Sequence, residues 1–186
     1  RCLVNAASTT SLGSKVSAGA DGSNTDEFLL EIWRALETLT DPEIPVVSLR
    51  EMGILRDVRG DALHGFEVVI TPTYSGCPAM GQIEDDVRNL LNANGLQGRV
   101  VTQLAPAWTT DWITEEGRAK LEAYGIAPPV GSSADKRSLF APSPAVRCPR
   151  CKSLHTTRVS NFGSTACKAL FQCDDCLEPF DYFKCL

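Results

Sequence analysis

Two Cys-x-x-Cys pairs, Cys148-Pro149-Arg150-Cys151 and Cys173-Asp174-Asp175-Cys176, are separated by 21 residues. In such a turn both sulfurs can face one point while backbone N–H groups fold over them, and two turns complete a tetrahedral four-sulfur site. Residues 156–162, 168–172 and 179–185 have strand character, so 146–186 reads as a zinc ribbon. About 40 residues cannot build a sufficient apolar core, and the metal stands in for one. Zinc is the expected occupant; the same paired turns also hold a single iron or an iron-sulfur cluster, which keeps iron as the alternative. Cys167 and Cys185 are left over, and read either as apolar filler or as additional metal ligands.

Six of the eight cysteines lie after residue 147, a clustering that points to metal rather than to disulfides. A length of 186 residues, with 43% hydrophobic and 22% charged, suits one good core plus an appendage, or two modest domains. No apolar run approaches the roughly 20 residues that span a bilayer, and no secretory signal opens the chain, so no membrane contact and a cytoplasmic location are expected. The net charge of −5 argues against a general nucleic-acid footprint. The ribbon segment carries six Lys or Arg against four acids, a formal +2. Zinc on four thiolates adds about −2 and cancels it.

Residues 1–23 are rich in Ser, Ala, Gly, Thr and Asn and read as a disordered lead-in. Asn24 with Glu27 resembles a capping box, and Phe28, Leu29, Ile32, Trp33 and Leu36 then keep helical spacing to about Leu39. Asp41-Pro42-Glu43-Ile44-Pro45 stops that helix, because prolines forbid it and push the residues before them toward extended geometry. Residues 54–58 and 63–71 read as strands of a hairpin, and 98–104 as a third strand. Trp108 and Trp112 read as packing groups, followed by a helix from Thr114 to near Tyr124. The expected fold is α+β: a small sheet with helices on one face over 24–126, a Pro/Gly/Ser linker over 127–145, and an all-β ribbon over 146–186.

Between the second strand and the next helix lies Thr71-Pro72-Thr73-Tyr74-Ser75-Gly76-Cys77-Pro78. Proline favours the first helical position, which puts Cys77 at the N-cap. There, unpaired N–H groups and the helix dipole favour thiolate over thiol, making the group a nucleophile or a metal ligand. The alternative is a small buried hydrophobe. Neither histidine is placed near Cys77 by sequence, so the base that a thiol hydrolase needs is missing.

These residues resemble a known family. Leu39-Thr40-Asp41-Pro42-Glu43-Ile44-Pro45-Val46, Met52-Gly53-Ile54 and Gly76-Cys77-Pro78-Ala79 are similar to the SufT-like iron-sulfur assembly domain. Together with Cys148-Pro149-Arg150-Cys151, the run Asn161 to Leu170 and Glu178-Pro179-Phe180-Asp181-Tyr182-Phe183-Lys184-Cys185, they resemble the PaaD family over residues 26–186. That resemblance implies a non-catalytic accessory protein of aerobic phenylacetate degradation, which assembles or matures metal centres of the phenylacetyl-CoA epoxidase. Its partners would be the oxygenase and reductase subunits. The chain has no paired Glu-x-x-His motifs and no G-x-G-x-x-G turn, so the oxidation chemistry belongs elsewhere.

Carried onto this chain, the resemblance makes Cys77 a transient iron or cluster ligand. Thr71, Thr73 and Ser75 become donors to its sulfur, and Asp41 or Glu43 a hard ligand or proton acceptor; the carboxylates can equally be plain caps. One thiol cannot hold a cluster, which needs about four ligands. The remainder would come from a homodimer pairing two Cys77 residues, from a partner, or from Cys167 or Cys185. A different class of function is an interaction module whose ribbon docks oxygenase and reductase without carrying iron.

Overall fold

The computed structural model describes residues 22–130 and 145–184. The lead-in over 1–21, most of the linker, and Cys185 lie outside the described residues. Helix α1 spans Gly22–Leu36. Its apolar stripe works as the spacing predicts: Ile32 and Leu36 are fully buried, with Phe28, Leu29 and Trp33 packed against the same core.

Strands β1 (Leu55–Asp61) and β2 (Gly65–Ile70) form the hairpin, with a register shift between Leu55 and Asp57. The turn falls at 61–65 rather than 59–62, because Asp61 builds it. Its Oδ1 accepts from the N–H groups of Leu63 (2.8 Å) and His64 (2.7 Å). Helix α2 (Met80–Ala93) then carries the chain across to β3 (Gly98–Thr102), which lies parallel to β2 and gives the order β1-β2-β3. Phe66, Val68 and Ile70, two apart on β2, enter one core with Ile83, Val87 and Leu91 of α2.

Trp108 is 4% exposed and donates from Nε1 to the Met52 carbonyl at 3.0 Å. Trp112 packs on Gly53, where a Cβ would stand 2.6 Å from its own Cβ, and carries the Arg56 guanidinium 3.5 Å above its ring. Both tryptophans are therefore packing groups. Helix α3 (Glu115–Tyr124) opens on Thr114, whose hydroxyl accepts from Gly117 N–H at 3.0 Å, and closes on left-handed Gly125.

From Gly125 the chain enters β4 (Ile126–Ala127), where the sequence puts the end of the first domain and the start of a linker, and joins a second sheet. That sheet contains β5 (Thr156–Ser160), β6 (Lys168–Cys173) and β7 (Pro179–Phe183) in the order β4-β7-β6-β5. β4 is parallel to β7, and β6 runs antiparallel to both its neighbours. Ala169, Phe171, Phe180 and Tyr182 form a small core of its own, with Cys148 and Cys173 in it. Two ribbon residues do not belong to that core. Cys167 and Phe183 are buried with α1, α2 and Met52 in the larger one, where Phe183 meets Trp108 at 6.0 Å between ring centroids.

Candidate functional site

The two ribbon knuckles are built alike. In each, the N–H four residues beyond the first cysteine returns to its carbonyl, Lys152 to Cys148 at 3.0 Å and Leu177 to Cys173 at 2.9 Å. The first cysteine's own N–H reaches five residues on, to Ser153 and to Glu178. Lys152 and Leu177 both take positive φ, 64° and 62°, to close these turns. Neither is glycine, so no composition signal marked them. The N–H groups of Cys176 and Asp175, with the Cys151 thiol, draw the Cys173 thiol down to about 7, against the opposing effect of desolvation.

Cys148, Cys151, Cys173 and Cys176 bring their sulfurs within 4.8 Å of one another. Cys148 and Cys176 are 3.8 Å apart, and Cys151 and Cys173 are 3.5 Å. A zinc ion with four sulfurs at about 2.3 Å requires S···S spacings near 3.8 Å, so the donor set fits zinc.

The second set of groups surrounds Cys77. The helix begins later than the sequence suggests: α2 starts at Met80 with Ala79 at its N-cap, and Cys77 sits in the preceding turn, its N–H on the Tyr74 carbonyl at 3.1 Å. Its pKa moves opposite to expectation. Burial pushes the thiol up; the Ala79 N–H opposes this, and the charges of Glu43, Cys167 and Asp41 add to the rise. A local helix-dipole argument fails here because the neighbours come from distant segments.

Those neighbours are informative. Asp41 is 7% exposed, and its Oδ1 accepts from the N–H groups of Glu43 (2.7 Å) and Ile44 (3.0 Å), so one oxygen is a cap for the Pro-Glu-Ile-Pro turn. Burial pushes its carboxyl up against those two hydrogen bonds. Glu43 is half-buried, and burial together with the Asp41 charge raises it as well. Cys167, from the ribbon, is 5% exposed and 3.0 Å from Thr165 Oγ1; burial raises it, with the charges of Glu43 and Asp41 contributing. Tyr74 lies within reach of the charges of Cys77, Cys167 and Glu43.

Thr71 and Thr73 are buried on the approach to the loop, while Ser75 is exposed. The Thr71 hydroxyl has no hydrogen-bond partner, the Cys77 sulfur included. Sequence reasoning missed Tyr74 and Lys168. Lys168 is 3% exposed, pairs with Asp181 at 3.8 Å, and its charge reaches Asp41, Glu43 and Cys167. A lysine opening a strand reads as surface, and nothing in the local sequence signals its burial. Among the described residues, the ribbon's four thiols are the one group already at ligation distance, and Cys77 belongs to no such group.

A three-stranded α+β module with a thiol in its crossover loop, joined to a four-sulfur ribbon, defines an iron-sulfur-assembly-type protein with a zinc ribbon attached. Residues 30–103 match the family of iron-sulfur cluster assembly proteins, and residues 132–184 match the PaaD zinc beta ribbon domain. The chain belongs to the PaaD family. It is 50% identical over 157 residues to an Escherichia coli protein named as one of the subunits of 1,2-phenylacetyl-CoA epoxidase, covering 84% of this chain and 92% of that one. It is 34% identical over 101 residues to an Fe-S protein maturation auxiliary factor of Porphyromonas gingivalis, covering 52% of this chain and 95% of that one. The first module also matches the crystal structure of a domain of unknown function from Bacillus anthracis, at TM-score 0.50 and 26% identity, over 54% of this chain and 97% of that one. The family places this chain among accessory proteins of the iron-sulfur assembly type. No helix among the described residues is long and apolar enough to cross a membrane.

Proposed function

We propose that this chain is a non-catalytic maturation factor for the metal centres of a phenylacetyl-CoA epoxidase, working in the cytoplasm beside the oxygenase and reductase subunits and carrying iron or an iron-sulfur unit transiently at Cys77. The observation that carries this reading is the gathering of Cys77, Glu43, Asp41 and Tyr74 around one loop, with Cys77 and Glu43 half-buried and so within reach of a partner. Among the described residues only the ribbon thiols stand as a group close enough to hold an ion, which suits a site at Cys77 that must release what it holds. Buried Thr71, with its unpaired hydroxyl, and buried Thr73 line the approach to the loop and are the donors we assign to a bound sulfide or thiolate.

The test is metal and sulfide content, with an absorption spectrum, on protein purified without oxygen beside Cys77→Ala. The expected result is zinc near one per chain in both, with iron and sulfide in the parent only. Zinc in both with no iron, even after reconstitution, favours a second reading, in which the ribbon docks oxygenase and reductase together. Exposed Val159 (57%), Phe162 (67%) and Leu177 (68%) on the ribbon support that alternative.

A further inference from the structure

We infer that the ribbon is a modification site for peroxides: oxidation at exposed Cys151 and Cys176 closes two disulfides between the knuckles, Cys151–Cys173 and Cys148–Cys176, which take over from zinc in holding the ribbon shut. None of this depends on what Cys77 carries.

The four ribbon thiols are not equivalent. Cys148 and Cys173, the first of each knuckle, are buried in the ribbon's own core, whereas Cys151 and Cys176, the last of each, are exposed. An oxidant in solvent therefore meets one cysteine of each knuckle. Oxidation of cysteine follows thiolate character and exposure, and a zinc-binding thiol is held as thiolate.

Each exposed sulfur also stands against a buried sulfur of the opposite knuckle. Cys151 is 3.5 Å from Cys173, and Cys176 is 3.8 Å from Cys148. The thiol that is oxidised and the thiol that resolves it are thus already neighbours, and the two pairs use all four sulfurs without sharing one.

The knuckles are braced together without sulfur as well. Asp175, inside the second knuckle, accepts from the Ser153 hydroxyl on Oδ2 and has His155 Nδ1 3.3 Å from Oδ1; both partners follow the first knuckle. The Asp174 N–H donates to the His155 carbonyl at 2.8 Å, and Arg150 pairs with Glu178 across the same gap. These contacts keep the two turns face to face while sulfur leaves the metal. A bridge within one knuckle would make no use of that alignment.

The Cys151 thiolate attacks a peroxide oxygen: an S–O bond forms, the O–O bond breaks, and hydroxide leaves a sulfenic acid behind. The Cys173 thiolate then attacks that sulfur, forming the S–S bond and expelling a second hydroxide. Two thiolates lose two electrons, and hydrogen peroxide with two protons from solvent becomes two waters. Cys176 and Cys148 repeat the step with a second peroxide. Zinc, deprived of its thiolates, is released without change of oxidation state, and a thiol reductant reverses both bridges.

The test adds hydrogen peroxide to the zinc-loaded full chain, follows released zinc with a chromogenic chelator, and maps bridges by mass spectrometry of unreduced peptides. The expected result is one zinc released per chain at about two peroxides, with Cys151–Cys173 and Cys148–Cys176 bridges, and zinc binding restored by dithiothreitol and fresh zinc. Bridges confined within the knuckles, Cys148–Cys151 or Cys173–Cys176, overturn the proposal. So does zinc retained at excess peroxide, or zinc lost with sulfinic acids and no bridge. Hydrogen exchange reads the closing role separately: β6 amides of the oxidised chain are expected to exchange at least about tenfold more slowly than those of the reduced chain stripped of zinc. Equal rates in the two overturn it.

Discussion

At the residue scale, the molecule uses close approaches that only one side chain can satisfy. Gly163→Ala drives a methyl into Asp181 Oδ1, and the expected cost is about 1–3 kcal/mol in urea unfolding. Thr71 poses the opposite case. Its buried hydroxyl is unpaired, so Thr71→Val is expected to leave stability unchanged or raise it by up to about 1 kcal/mol. If the hydroxyl serves bound sulfur, the same variant loads less iron. The His64–Asp61 contact, 2.9 Å in an exposed turn, raises the imidazole above its ordinary 6.5 and holds the carboxyl down at about 2. The histidine's part of this pairing is present below 6.5 and fades as pH rises through its raised pKa; the aspartate's part fades only toward pH 2. An NMR titration is expected to place the His64 midpoint above 6.5, and Asp61→Asn to bring it back down.

At the element scale, what could be read from sequence was whatever local spacing determines. The knuckles, the stripe of α1, the Thr114 cap and the Gly125 stop all follow from residues a few positions apart. The hairpin turn lies a few residues beyond 59–62 because the Asp61 carboxylate caps the N–H groups of Leu63 and His64. The direction of the Cys77 pKa was not legible, since it is raised first by burial and then by charges from Glu43 and Asp41 some 35 residues earlier and from Cys167 far downstream. Zinc removal is expected to free the amides of Lys152 and Leu177 first, since each donates to the carbonyl of a metal-binding cysteine. Hydrogen exchange before and after chelation checks this, with faster exchange expected across β5 to β7 and slower change in α2.

At the scale of the whole molecule, the two modules share a sheet and a core. β4 leaves α3 and pairs with β7, while Phe183 and Cys167 fill the first module. No periodicity in the sequence announces a two-residue strand, and a buried cysteine cannot be assigned to one core or another before the docking is known. The shared packing predicts one unfolding transition rather than two in the zinc-loaded protein. It also predicts that chelation lowers the stability of the first module and shifts Trp108 emission to the red, because Phe183 leaves its ring. Independent transitions by tryptophan fluorescence and by zinc release would contradict this.

The pairing of β4 with β7 also sets a schedule. A ribosome delivers Cys77 and the whole of β4 long before β7, and domains fold largely as they emerge. Through that interval the loop thiol stands without the ribbon packed beside it, and β4 has an unfilled edge. A newborn chain therefore cannot complete its second sheet until zinc has gathered the knuckles and β7 has paired with β4. Supply of zinc then gates the closing of the sheet, and a cell short of it would be left with a chain translated but unfinished.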